Sequence, residues 1–211
     1  MAPAYKAKTG KSHSAFWKSQ LRQWHWISSA ICLGGLFLFA VTGVTLNHAS
    51  SIESEPVTTA DDLAVKPATL ALLRQAKDGV PMPPTLSEAL EQETGVATAK
   101  AIPEARDGEL FIDLPSPGVD ASLSVDLATG AATYERTDRG WIAVLNDLHK
   151  GRDSGPVWAW FIDVIAIACV LFSLTGLGLL WIHAGKRPST WPLTGIGFAV
   201  PLLLYAIFIH V

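Results

Sequence analysis

The chain has 211 residues, of which 49% are hydrophobic and 17% are charged, and its formal net charge at pH 7 is −3. Its two cysteines, Cys32 and Cys169, belong to no CxxCH motif and to no paired spacing. This excludes a covalently attached c-type haem and gives no sign of a cysteine zinc site or a disulfide scaffold. The net charge averages a basic N-terminus with an acidic middle, so it indicates little about partners, and we expect no nucleic-acid partner.

Three apolar segments are long enough to cross a membrane, which takes about 20 residues. Transmembrane helices are predicted at 23–48, 156–183 and 191–210, and Asp163 in the second is the only Asp, Glu, Lys or Arg within them. The first segment is longer than the apolar region of a signal peptide, so we expect it to remain in the protein as a helix. The sequence therefore predicts a membrane α-helical protein with three spans.

The charge distribution predicts the orientation of these spans. Residues 1–22 contain five Lys or Arg residues and no acid, and residues 184–190 contain two and no acid. All acidic residues outside the spans lie within residues 49–156. By the positive-inside rule, the N-terminus 1–22 and the loop 184–190 are cytoplasmic. Residues 49–156 and the C-terminus are then periplasmic, and the expected location is the bacterial inner membrane.

Residues 49–140 are predicted to form a small α+β periplasmic domain. A polar linker is expected at 54–65, followed by an Ala/Leu-rich helix at 67–77. The capping-box spacing of residues 85–88 predicts the start of a second helix, which Gly95 ends.

The period of the hydrophobic pattern then changes to two, which is typical of strands. Strands are predicted at 109–114, 121–126 and 131–136, with a turn at Asp126-Leu-Ala-Thr-Gly130. One helix on a small antiparallel sheet would bury the apolar faces of these strands. Residues 141–150 have an apolar face at helical spacing, which favours a juxtamembrane amphipathic helix.

Three histidines lie at the ends of the first two spans, and a fourth, His149, lies on the juxtamembrane helix. His25 and His183 are placed at the cytoplasmic side, and His48 and His149 at the periplasmic side. Singly, each could be an interfacial anchor, but ionisable residues within a membrane are functional by default. A rise of 1.5 Å per residue puts the Cα atoms of His25 and His48 about 34 Å apart, so they belong to different sites. His210 is a reserve ligand.

Two imidazoles at one depth satisfy the two axial positions of a haem iron, and an apolar shell accepts the macrocycle. A zinc site needs four protein ligands, or three and an open position. The sequence therefore predicts two haem b groups, one held by His25 and His183 and the other by His48 and His149. For Asp163 the sequence leaves open a second-shell hydrogen bond, a proton path or a simple interfacial cap.

A weak internal repeat links the first two spans. Phe39-Ala-Val-Thr-Gly-Val-Thr-Leu46 resembles Phe172-Ser-Leu-Thr-Gly-Leu-Gly-Leu179, and an end-of-helix histidine, His48 or His183, follows each. Related antiparallel spans are expected of an inverted repeat. The small residues would let a porphyrin or a neighbouring helix approach the backbone, or would serve packing alone.

These features together resemble the PepSY-associated transmembrane helix family (PepSY_TM-like). The resemblance covers most of residues 15–190. Larger members have at least four spans, so a homodimer could supply the helix wall that three spans lack. The motifs that carry it are Arg22-Gln-Trp-His25, Thr42-Gly-Val-Thr-Leu-Asn-His48, the Asp126–Gly130 turn of a PepSY-like domain, Leu145-Asn-Asp-Leu-His149 and Thr175-Gly-Leu-Gly-Leu-Leu-Trp181.

Proteins similar to this family include inner-membrane haem b proteins that reduce ferric siderophores on the periplasmic side. The resemblance thus implies a haem b ferric reductase that takes electrons from a cytoplasmic or quinol donor and gives them to a ferric siderophore or other ferric chelate. Membrane lipids surround its spans, and no residue is expected to act as a catalytic acid or base. The alternative is a non-enzymatic membrane anchor whose PepSY-like domain binds or restrains a periplasmic partner.

Overall fold

The computed structural model describes residues 13–52, 55–99 and 101–209. His210, the reserve ligand, lies outside them. The chain divides into two compact units. The sheet unit contains residues 38–162, and the helical unit contains the residues up to 37 together with those from 163 onward. In chain order the elements are α1 (His13–Asn47), β1 (Val57–Ala64), α2 (Pro67–Leu73), α3 (Pro84–Thr94), β2 (Pro103–Arg106), β3 (Glu109–Asp113), β4 (Val119–Asp126), β5 (Ala131–Asp138), α4 (Gly140–Lys150), α5 (Gly155–His183), a 3₁₀ turn (Ala184–Lys186) and α6 (Thr190–Phe208).

Three of these helices, α1, α5 and α6, are long and apolar enough to cross a membrane. Together with the small antiparallel sheet, they confirm the predicted fold class, a membrane helical protein with an α+β domain. α1 already begins at His13, so the helix extends beyond the predicted span on its N-terminal side.

Within the helical unit, α1 and α5 run antiparallel and approach each other closely at glycines. A Cβ added to Gly178 would lie 2.9 Å from Leu21 Cδ2, and one added to Gly35 would lie 2.6 Å from Ile165 Cγ2. Helices in lipid associate through close van der Waals packing because the apolar solvent gives no hydrophobic driving force. The two glycines therefore set how near α5 comes to α1.

The sheet unit contains five antiparallel strands in the order β1-β5-β4-β3-β2. The strands predicted at 109–114, 121–126 and 131–136 are confirmed as β3, β4 and β5. The linker predicted at 54–65 is wrong, because most of it is β1, whose eight residues all pair with β5. β1 is an exposed edge strand in which half of the residues are polar and almost none are buried, so its backbone pairing leaves little trace in the hydrophobic pattern.

Both short helices, rather than the one expected, cover the same face of the sheet. α3 begins at Pro84 with no side-chain cap, so the predicted capping box is wrong. Proline at the first helical position gives up an N–H that has no partner inside the helix. Gly95 ends α3 in the left-handed conformation, as predicted. The core contains Leu70 and Leu73 from α2, Leu86 and Leu90 from α3, and Leu110, Ile112, Leu123, Val125 and Ala132 from the strands.

Glu93 joins α3 to the start of α2. Its carboxylate accepts hydrogen bonds from the Lys66 backbone N–H at 2.9 Å and from the Thr69 hydroxyl at 2.9 Å. Burial alone would raise the pKa of Glu93, but these bonds and the nearby Lys66 ammonium bring it below its ordinary value of 4.5. The ionised form of Glu93 therefore stabilises the fold.

The helix predicted at 141–150 is found as α4, and it is fastened to the sheet unit. Asp147, which is 2% exposed, accepts hydrogen bonds from the Gly118 backbone N–H at 2.9 Å and from the Arg139 guanidinium at 2.7 Å. A buried carboxylate with two strong donors holds a rigid position. This fixes the helix that carries His149.

Candidate functional site

His25 is held against α5 inside the helical unit. Its ring stacks on Phe172, with centroids 4.7 Å apart and an interplanar angle of 16°. Its Nδ1 lies 3.0 Å from the Thr175 hydroxyl and 3.3 Å from the Phe172 carbonyl. A Cβ on Gly176 would lie 3.3 Å from His25 Cε1, so the glycine leaves room for the ring.

His149 is held in the same manner against α1 inside the sheet unit. Its Nδ1 lies 2.7 Å from the hydroxyl of Thr42, which is 3% exposed. The ring meets Phe39 edge to face at a centroid distance of 5.3 Å. A Cβ on Gly43 would lie 3.4 Å from His149 Cε1.

The two histidines thus dock on the two copies of one motif, Phe-x-x-Thr-Gly. His25 meets the copy at 172–176, and His149 meets the copy at 39–43. In each copy the aromatic ring faces the imidazole, the threonine hydroxyl meets Nδ1 and the glycine lies beside Cε1. The internal repeat seen in the sequence is therefore a repeated docking place for a histidine from another helix.

The hydrogen bonds determine which ring nitrogen carries the proton. The Phe172 carbonyl can only accept, so His25 donates from Nδ1. The Thr42 hydroxyl donates to the Leu38 carbonyl at 2.9 Å and therefore accepts from His149 Nδ1. In the neutral rings the lone pair is then on Nε2, which is the tautomer that a metal-binding histidine takes when its other nitrogen is anchored.

His48 and His183 have a different, local arrangement. His48 Nδ1 donates to the Val44 carbonyl at 3.0 Å, and His183 Nδ1 donates to the Leu179 carbonyl at 2.8 Å. Both rings are exposed, and each acceptor lies four residues earlier in the same helix. Their Nε2 atoms also carry the lone pair, but a histidine near the end of a helix readily makes such a bond for local reasons.

Each predicted ligand pair lies within one unit. His25 and His183 belong to the helical unit, and His48 and His149 belong to the sheet unit. Among the described residues, no hydrogen bond or ring contact joins the two members of either pair, so the pairing stays a prediction. Asp163 is exposed on α5 and makes no hydrogen bond or ion pair with any residue described in its unit, so nothing here supports a second-shell role.

Among the described residues, the predicted ligands belong to no cluster of the size that a zinc site needs. Nowhere in the described ranges do three or more His, Cys, Asp or Glu side chains gather as a metal site would require. Each predicted haem would have one ring anchored on another helix, His25 or His149, and one ring bonded only within its own helix, His183 or His48. The free space beside His149 is about 40 Å³, so a macrocycle there requires its lining to move apart. This lining is apolar apart from Thr42 and His149 and includes Leu38, Phe39, Leu145, Leu148 and Trp158.

The three long apolar helices and the small antiparallel sheet define the class of the chain, an integral membrane protein with an α+β domain. The chain belongs to the PepSY_TM-like family, whose model matches residues 16–210. This confirms the predicted family, whereas haem binding and iron reduction stay predictions. Comparison with the curated proteins gives no match, and comparison with the solved structures gives none either.

Sequence reasoning missed the two threonines that fix the histidine rings. Thr42 and Thr175 were within reach of prediction, because they occupy the same position in the two copies of the repeat. The repeat does not show which histidine bonds to each threonine, since His149 is far from Thr42 in sequence. Only the packing of α4 against α1 brings them together.

Proposed function

We propose that this chain is an inner-membrane electron-transfer protein that binds haem b and passes electrons to a ferric complex, such as a ferric siderophore, on the periplasmic side. His25 and His149 are the anchored ligands, with His183 and His48 as their respective partners. The observation that supports this most is that the two copies of the Phe-x-x-Thr-Gly motif each hold a histidine by its Nδ1–H.

The physical argument that these histidines are ligands is the free-energy cost of placing and orienting their side chains. An ionisable side chain in a membrane segment, such as His25, is expensive and is kept mainly where it serves a function. A bond from Nδ1–H to a hydroxyl or carbonyl orients the ring and makes Nε2 more basic towards a metal. Bound haem would supply one-electron transfer, and the residues of this chain would hold the two rings and set their orientation.

The proposed orientation follows from charge. The basic segments 1–22 and 184–190 would face the cytoplasm, which puts the sheet unit and the His149 site on the periplasmic side. A ferric complex too polar to cross the membrane would then meet the site that includes His48 and His149. His25 would lie on the side where electrons enter.

The direct test is haem content per chain in protein purified after expression with haem precursor. The intact protein should show a bis-histidine b-type spectrum, and either His25→Ala or His149→Ala should remove one haem while the other stays. His13→Ala is the matched control, because His13 is exposed and has no predicted role. A colourless protein, or unchanged haem content in both variants, would contradict the proposal and favour the membrane-anchor alternative.

A further inference from the structure

The helical unit contains a shallow aromatic cavity, open at the surface, next to the docking place of His25. Its volume is about 580 Å³, which is in the range of small-molecule sites. The first turns of α1 contribute one wall and α5 contributes the other. The lining includes Phe16, Trp17, Gln20, Trp24, Leu171 and Thr175.

Polar groups are few in this lining, and each has a definite position. The Gln20 side chain is half-buried, and its amide offers both a donor and an acceptor. The Thr175 hydroxyl donates to the Leu171 carbonyl and accepts from His25 Nδ1, so it links the cavity wall to the histidine ring. A ligand in this cavity would therefore meet flat aromatic faces, one amide and a direct connection to His25.

This chemistry matches the headgroup of a membrane quinol. The headgroup is a flat ring that stacks on aromatic side chains, and its two oxygens exchange hydrogen bonds with an amide in either redox state. Its isoprenoid tail would lie in the lipid beside Trp24, which is exposed near the start of the predicted span. A phospholipid acyl chain would use the apolar walls but would have no use for the Gln20 amide.

We propose that this cavity binds a membrane quinol as the electron donor, with Gln20 bonded to a headgroup oxygen. This inference rests on the proposed electron-transfer function and names its donor. Oxidation of one quinol breaks two O–H bonds, releases two protons to water and yields a quinone. The two electrons reduce two ferric ions of the acceptor, one each.

The test is binding of a short-chain benzoquinone to the purified full-length protein, followed by quenching of tryptophan fluorescence. Gln20→Leu should weaken binding about tenfold, the effect of one lost hydrogen bond. Gln23→Leu is the matched control, since Gln23 is exposed on the same helix and outside the cavity lining. Trp24→Phe should lower the quenching amplitude, whereas Trp26→Phe should leave it unchanged.

Binding should also persist in His25→Ala, because the headgroup contacts Gln20 and the aromatic walls rather than the histidine. Failure of the haem assignment and failure of the quinol site therefore give different results. If haem is present but Gln20→Leu binds the quinone as tightly as the intact protein does, the cavity holds a lipid chain and the quinol site is wrong. If tryptophan fluorescence is quenched equally in every variant, the quinone quenches from the bulk membrane, and this result also overturns the proposed quinol site.

Discussion

The threonine that fixes His149 gives the sharpest test of the candidate site. Thr42→Val keeps the shape of the side chain but removes the hydroxyl that accepts the Nδ1–H at 2.7 Å. The site is buried, and a buried donor left without a partner costs about 1 to 3 kcal/mol. We therefore expect haem affinity at the His149 site to fall about 10- to 100-fold, the usual effect of losing an outer-shell partner.

The equivalent change at the other copy should cost less. In Thr175→Val, His25 keeps a second acceptor, the Phe172 carbonyl at 3.3 Å from Nδ1. The ring can then rotate slightly towards this carbonyl and satisfy its N–H. The structure thus predicts an order, with Thr42→Val weakening its site more than Thr175→Val weakens its own.

The assay is titration of haem into apo-protein, followed by the Soret absorbance, with nitrogen NMR of labelled histidine as a readout that needs no haem. Thr42→Ser should restore affinity because it restores the hydroxyl. Thr45→Val is a matched control, since the Thr45 hydroxyl bonds the Thr42 carbonyl and Asn146 but no histidine. Equal affinities for all variants, or a reversed order, would refute the assigned role of these hydroxyls.

Three further outcomes are expected in the full-length protein. Gly130→Ala should lower the melting temperature more than Gly79→Ala. Both glycines have positive φ, but a new Cβ meets the Val65 carbonyl oxygen, at 3.0 Å, only at Gly130, so equal effects in thermal unfolding would contradict this. The pKa of Glu93 is lower in the folded state than in the unfolded state. The stabilisation from its carboxylate is therefore complete above the unfolded-state pKa and is lost as pH falls through the folded-state pKa. Below pH 5 the melting temperature of Glu93→Gln should depend less on pH than that of the intact protein, and an equal dependence would show that this carboxylate does not contribute. A reporter active only in the periplasm should be active when fused after Val211, and activity only in the cytoplasm would contradict the three-span orientation.

The elements that the sequence predicts best are those with a strong pattern. The spans show as long apolar runs, and β4 shows as strict alternation of apolar and polar residues, with Leu123 and Val125 buried. β1 is held by backbone hydrogen bonds to β5 and buries almost none of its side chains, so its residues indicate a linker. Hydrophobic periodicity reflects which side chains are buried, so it does not reveal an edge strand whose side chains are exposed.

In the candidate site, too, only the residues with a strong sequence signal could be predicted. His25 could be proposed because histidine is costly in a membrane segment, and His149 because it ends the amphipathic helix predicted beside the membrane. Their hydrogen-bond partners lie on other helices, and no local pattern says which threonine meets which ring. The same holds for the cavity near His25, whose walls come from α1 and α5 and converge only after these helices pack.

The closeness of α1 and α5 can be tested with two neighbouring glycines. A Cβ at Gly35 would lie 2.6 Å from Ile165 Cγ2, whereas a Cβ at Gly34 would meet nothing within 4 Å. Replacing either glycine by alanine gains about 1 kcal/mol of helix propensity, so the difference between Gly35→Ala and Gly34→Ala isolates the steric term. Overpacking of this kind costs about 1 to 3 kcal/mol.

We expect Gly34→Ala to raise the melting temperature and Gly35→Ala to lower it relative to Gly34→Ala. Adding Ile165→Val to Gly35→Ala should recover part of the loss, because the substitution removes the Cδ1 atom that would lie 2.9 Å from the new Cβ. Residues in contact give non-additive effects in such a double-mutant cycle. If the two alanine variants are equally stable and the cycle is additive, α1 and α5 do not approach at Gly35. The register that brings His25 to Thr175 would then be wrong as well.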